Sequence, residues 1–164
     1  VWSVKDGEIV GKGGPGDRAA SLRSQMIAED FRLTFKLKVT PPDESAAVVF
    51  RGPSLSESGT KALRFQAGPS LWGTLSESNG RGMLWDKSAE KYAKPDDWNE
   101  VEITAEGGRV RTFLNGHACA DLDDPAVPRR GAFAFLLPHS DVPELRVKDL
   151  KLEVLSPRKT ESGP

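Results

Sequence analysis

Phe31-Arg32-Leu33-Thr34-Phe35-Lys36-Leu37-Lys38-Val39 is the stretch that decides the fold. Every odd position is apolar and every even one is polar. A period of two describes a β-strand with one face on a core and the other in water. Pro41-Pro42-Asp43 ends it, because proline has no ladder donor. The neighbouring segments agree. Ala46-Ala47-Val48-Val49-Phe50-Arg51 is a short continuous apolar run, the pattern of a more central strand buried on both faces. After a Gly/Ser/Pro loop, residues 61–67 alternate again, with Leu63 and Phe65 on one face and Arg64 and Gln66 on the other. Residues 71–75 and 83–85 flank the turn Asn79-Gly80-Arg81-Gly82 and are predicted to pair as strands.

Downstream, residues 98–104 alternate, and Glu106-Gly107-Gly108 is a hairpin signal. The return strand is Arg109–Leu114, followed by Asn115-Gly116, the strongest two-residue hairpin signal, since a type I′ turn needs positive φ at both central residues. Residues 131–137 make another strand. The last run, residues 145–154, changes parity: Leu145 and Val147 are odd, Leu150, Leu152 and Val154 even. This predicts a β-bulge near Lys148-Asp149. No segment sustains a 3.6-residue period. Roughly ten short strands with frequent turn signals indicate an all-β, two-sheet antiparallel sandwich.

The chain has 164 residues, with 23 Lys and Arg against 24 Asp and Glu. That length buries a core without disulfides or metals. The mixed charges argue against a nucleic-acid partner, which needs a basic stripe, and supply no polybasic patch for anionic lipid. No apolar run is long enough for membrane insertion, and no targeting segment opens the chain, which starts on Val1-Trp2-Ser3-Val4. That start suggests a processed or excised domain. Residues 1–155 are expected to form the sandwich. Ser156-Pro157-Arg158-Lys159-Thr160-Glu161-Ser162-Gly163-Pro164 reads as a flexible linker, with other domains of a larger chain beyond it. Cys119 is the one cysteine and reads as a small core filler. No metal-ligand spacing appears, and no cofactor is implied: Asp121-Leu122-Asp123-Asp124 lacks the pattern of a calcium loop and reads as a solvated acidic turn.

The turns and strand edges together resemble the 3-keto-disaccharide hydrolase domain family, a concanavalin-like jelly-roll group of the lectin and glucanase type that acts on carbohydrates. The resemblance runs from Trp2 to about Leu155. It is carried by Trp2-Ser3-Val4-Lys5-Asp6-Gly7-Glu8-Ile9-Val10-Gly11, Glu29-Asp30-Phe31-Arg32-Leu33, Val48-Val49-Phe50-Arg51, and Trp72-Gly73-Thr74-Leu75-Ser76-Glu77 with Gly80-Arg81-Gly82. Lys94-Pro95-Asp96-Asp97-Trp98-Asn99, Phe113-Leu114-Asn115-Gly116, the stretch from Gly131 through His139, and Val147-Lys148-Asp149-Leu150-Lys151-Leu152 complete it. Several polar positions depart from the family pattern. Ser76 stands for a tyrosine, Leu137 for a glutamine, and Arg64 and Gln66 occupy a strand that often carries an acidic side chain. The resemblance implies a carbohydrate or glycoside partner, and a location that is periplasmic, surface or secreted.

A sugar is held by polar groups beside an apolar or aromatic platform. The candidates for substrate binding are Arg51, Arg64, Gln66, Trp72, Arg81 and Trp85, with Glu77 and His139 as catalytic candidates. Alternation puts Arg64 and Gln66 on one outward face, expected to be concave, and Arg51 on the face of Val49. Each has a plainer alternative. Arg51 and Arg64 suit ion pairs, Gln66 suits a strand edge, Trp72 and Trp85 suit packing, and Glu77 and Arg81 suit a bridge across their own loop. Trp2 and Trp98 read as core, and His117 as solvated. The resemblance implies that a ketone at C3 would acidify the C2 proton, that His139 or Glu77 would remove it, and that Arg51 or Arg81 would steady the enolate while the C1 group departs. No flanking carboxylate pair of an ordinary glycosidase is evident. Three functions stay open: cleavage of a 3-keto-glycoside, non-catalytic carbohydrate binding, and a protein-interaction module.

Overall fold

A computed structural model of the chain describes residues 2–13, 20–53, 60–137 and 143–155. Strands run in the order β1 (Trp2–Lys5), β2 (Glu8–Lys12), β3 (Ala20–Ala28), β4 (Phe31–Thr40), β5 (Ala46–Gly52), β6 (Ala62–Ala67) and β7 (Leu75–Ser78). They continue with β8 (Gly82–Trp85), β9 (Asn99–Glu106), β10 (Arg109–Leu114), β11 (His117–Asp123), β12 (Gly131–Leu137) and β13 (Glu144–Val154). Two antiparallel sheets result, a seven-stranded one ordered β1-β2-β13-β4-β9-β10-β11 and a six-stranded one ordered β3-β12-β5-β6-β7-β8. This is the jelly-roll sandwich that the alternation predicts. One 3-10 turn, Glu90–Tyr92, is its helical content among the described residues, and no helix there is long and apolar enough to cross a membrane.

The core follows from the odd positions of β4. Phe31, Leu33, Phe35, Leu37 and Val39 are all buried, while Arg32, Thr34, Lys36 and Lys38 alternate outward. Phe31 meets Phe50 and Phe133 edge-on, with centroids 5.9 and 4.8 Å away, and Phe35 meets Phe135 at 5.7 Å. These pairs weld the two sheets, each worth about 0.5–1.5 kcal/mol beyond area burial. Strand β5 is buried on both faces, as its apolar run predicts: Ala46, Val48 and Phe50 join the core, and Ala47 and Val49, on the opposite face, have little exposure among their neighbours.

The turn chemistry also follows the sequence. Asn115 and Gly116 have φ of 50° and 82°, closing the β10–β11 hairpin. The register of β13 against β4 slips between Lys148 and Lys151, and Asp149 carries φ 54°, so the bulge lies where the parity changes. Two expectations are corrected and one strand is added. Residues 71–73 form a turn rather than a strand, because Gly73 at φ 81° lets the chain fold back until its N–H reaches the Gln66 carbonyl at 3.0 Å. The acidic stretch Asp121–Asp123 is the end of β11. Strand β3, polar and weakly alternating, carries no clear sequence signal and forms the edge of the six-stranded sheet.

Trp2 lies flat across Gly11, its partner in the β1–β2 register. A Cβ at Gly11 would sit 2.4 Å from the indole. Gly11→Ala is therefore expected to destabilise the domain by about 1–3 kcal/mol in urea unfolding. In a Trp2→Ala background the same substitution should cost much less.

Candidate functional site

Backbone pairing in the six-stranded sheet lines up one row across all six strands. Arg23 faces Ala134, Ala134 faces Val49, Val49 faces Arg64, Arg64 faces Ser76, and Ser76 faces Met83. A second row runs Ser21, Leu136, Ala47 and Gln66. The alternate positions Val48, Phe65, Leu75 and Phe135 belong to the core. Both rows therefore lie on the outer face. Arg64 and Gln66 stand side by side there, as alternation predicts, over a floor of small residues. The Gln66 amide Nε2 donates to the Ser76 hydroxyl at 3.4 Å. The Nε–H of Arg64 is buried and finds no acceptor among the described residues. A buried donor without a partner costs about 1–3 kcal/mol, so it marks a place where water or a ligand completes the set.

Arg51 is not on this face. At φ 51° its backbone leaves the strand conformation, and the side chain turns inward instead of following Val49. It is 1% exposed. Its Nε and Nη2 donate to the Glu29 carbonyl at 3.0 and 2.7 Å, and its Nη1 to the carbonyls of Gly107 at 2.6 Å and Pro128 at 2.9 Å. Asp30 stands 3.4 Å from Nη2 and also accepts the Gly107 N–H at 2.9 Å. Burial draws the guanidinium down to about 10, opposed by the Asp30 carboxylate, and it stays charged at neutral pH. Arg51 ties together three inter-strand connections and offers no free donor.

Glu77 also faces away. It shares the inward side of β7 with Leu75, and its side chain is fully covered. Oε1 accepts from the Arg81 N–H at 3.0 Å and from its Nε at 3.1 Å, while Oε2 accepts from Nη2 at 3.0 Å. These bonds hold the Glu77 carboxyl below its ordinary range. Arg81 reaches on to Asp124 at 2.6 Å, pinning the β7–β8 turn to the end of β11. The bridge across their own loop is thus what the structure displays.

Trp72 is 8% exposed and belongs to the core. Trp85 is half-buried. A register shift beside Ser76 sets it opposite the inward Leu75, so it packs against the core instead of standing on the outer face. The outer-face rows therefore have no aromatic platform. His139 lies outside the described residues. His117 is exposed, with its ring stacked on Tyr92 at 3.9 Å. Sequence reasoning missed Arg23 and Ser76 as candidates on this face. Arg23 sits on the unrecognised β3, and Ser76 reads only as a departure from a tyrosine. A cavity of about 320 Å³ between the sheets near β3 and β13 is apolar apart from Arg23 and Ser24. The Ser24 hydroxyl is already engaged by the Phe133 N–H and the Met26 carbonyl, which leaves few polar handles for a sugar.

The model of the 3-keto-alpha-glucoside-1,2-lyase-like domain matches residues 1–153. The chain belongs to this family. It is a carbohydrate-related jelly-roll domain, and the family is the one its motifs resemble. Three solved structures share the fold at low identity. A Bacillus subtilis protein of unknown function with a galectin-like fold has a TM-score of 0.73 at 13% identity, over 96% of this chain and 88% of that one. A carbohydrate-binding module from Bacillus subtilis has a TM-score of 0.69 at 15% identity, over 93% and 91%. A Caenorhabditis elegans galectin has a TM-score of 0.56 at 14% identity, over 92% and 99%. A search among curated proteins finds no significant match.

Two outcomes follow for the residues that leave the face. Arg51→Met strands three buried carbonyls and is expected to cost about 3–5 kcal/mol in urea unfolding, with Arg51→Lys recovering little because an ammonium lacks the planar fork. The lowered carboxyl of Glu77 binds its proton less tightly folded than unfolded. Its contribution is therefore present above its ordinary value of 4.5 and lost as pH falls below it. Thermal melts from about pH 6 to about pH 3 should show a shallower acid loss in Glu77→Gln, which starts from a lower stability at neutral pH.

Proposed function

We propose that this domain recognises a glycoside on the outer face of its six-stranded sheet. The observation that carries this reading is the convergence of Arg64, Gln66 and Ser76 over the small side chains Ala47, Val49 and Ala134. A sugar presents a rim of hydroxyls, each both donor and acceptor. A guanidinium, an amide and a hydroxyl side by side match that mixture. Family membership supports a carbohydrate as the ligand. Arg51 and Arg81 leave this reading as supports of the fold. On the same reading the domain acts outside the cytoplasm, as part of a larger secreted or surface protein.

Recognition is better supported than turnover. Among the described residues, the two outer-face rows carry no carboxylate and no histidine, so a C2 proton there would meet no base. Glu77 is engaged by Arg81 on the other side of the sheet. The family match favours a second reading, in which His139 takes the C2 proton of a 3-keto-glycoside, the C1–C2 double bond forms and the C1–O bond to the aglycone breaks.

One experiment separates these readings: calorimetric titration with a panel of glucosides, their 3-keto forms, and neutral and acidic oligosaccharides, alongside an assay for released aglycone. Saturable binding is expected. It should weaken at least about tenfold, or about 1.4 kcal/mol, in both Arg64→Ala and Gln66→Ala with the circular dichroism spectrum unchanged. Turnover abolished by His139→Ala would establish the second reading, and silence across the panel would overturn both.

A further inference from the structure

The two sheets treat charge differently. On the seven-stranded sheet, six basic side chains are matched by acids: Lys12 with Glu144, Arg32 with Glu153, Lys36 with Asp149, Arg109 with Asp121, Arg111 with Glu106, and Arg146 with Glu8 and Glu144. Such pairs offset much of the charge on that surface, and acids stand among its remaining lysines. The six strands of the other sheet contain a single acidic residue, Glu77, which faces inward and is held by Arg81. Their outer face presents Arg23 and Arg64, neither of which has an ion pair among the described residues.

The two arginines stand in the same cross-sheet row, separated by Ala134 and Val49. Three strand spacings put their backbones about 14 Å apart. The floor between them is small and uncharged. Arg23 is exposed at the edge of the sheet, whereas Arg64 is half-buried with its Nε–H unpartnered. A neutral sugar bound by stacking would need an indole or phenol beside it, and both candidate tryptophans pack against the core. Affinity on this face must come from its donors, and guanidinium donors bind oxyanions best because two parallel N–H groups match two oxygens.

We propose that the ligand is an acidic glycan, one whose sugar rings carry carboxylate or sulfate groups, and that Arg64 and Arg23 read those groups at two points along it. This rests on the carbohydrate reading above and deepens it. Arg64, already partly desolvated, would contribute more of the selectivity than exposed Arg23.

The test uses matched pairs of oligosaccharides with the full chain: a galacturonate tetramer against its methyl ester, and a sulfated tetrasaccharide against its desulfated form. Calorimetry is expected to give at least tenfold tighter binding for the anionic member of one or both pairs. The responding pair identifies carboxylate or sulfate as the group read. The preference should shrink as salt rises from about 50 mM to about 500 mM, and collapse toward unity in Arg64→Gln with a smaller loss in Arg23→Gln. Neutral members binding as tightly as anionic ones would overturn the inference while leaving glycoside recognition intact. So would an anionic preference untouched by both substitutions. No binding by any of the four would remove the carbohydrate reading itself.

Discussion

A guanidinium taken out of water costs several kcal/mol unless every N–H meets an acceptor, and the end of this sandwich is built around meeting that demand. Arg51 closes the β5 strand and reaches carbonyls in three separate connections, at Glu29, Gly107 and Pro128. Asp30 balances the charge and takes the Gly107 N–H as well. One side chain thereby fixes the β3–β4 turn, the β9–β10 hairpin and the approach to β12. Phenylalanine pairs hold the sheets face to face, but a hydrophobic contact is non-directional and does not set where loops end. The directional bonds of Arg51 do. The outer face of the six-stranded sheet is displayed by strands whose ends those bonds hold.

The family motifs are understood in the same terms. Asn99, from the turn Lys94-Pro95-Asp96-Asp97-Trp98-Asn99, accepts the Lys94 N–H at 2.7 Å and returns a bond to the Lys94 carbonyl. Asn115, from the Phe113-Leu114-Asn115-Gly116 hairpin, donates to Asn99 at 2.9 Å and to the Tyr92 carbonyl at 2.8 Å. Two motifs far apart in sequence are thus one hydrogen-bonded unit. Each of them supplies a backbone group with a partner of fixed geometry. They specify the scaffold, while on the proposed reading ligand choice falls to outward positions such as Arg23, Arg64, Gln66 and Ser76.

Legibility varied with position. Strands β4, β9 and β10 were readable because each alternates cleanly and ends in a strong turn. Strand β3 was not, because an edge strand needs only a partial apolar face. Arg64 and Gln66 were placed correctly, since they sit mid-strand where parity holds. Arg51 was not, and Glu77 and Trp85 take the plainer roles, a loop bridge and packing, that the sequence offered beside a site role. A positive φ redirects Arg51. Glu77 keeps strand parity but is tied to Arg81 across its turn. A register shift carries Trp85 inward.

By itself the sequence determined the architecture: period-two patterning, proline stops and Asn-Gly turns are local signals, and an amphipathic strand has few ways to hide one face. It also determined which residues were available for chemistry. Only the tertiary structure decided which of them stand together. That choice depends on backbone torsions at single residues, on bulges and on pairing between distant strands. These are cooperative outcomes of packing, and no window of neighbouring residues contains them.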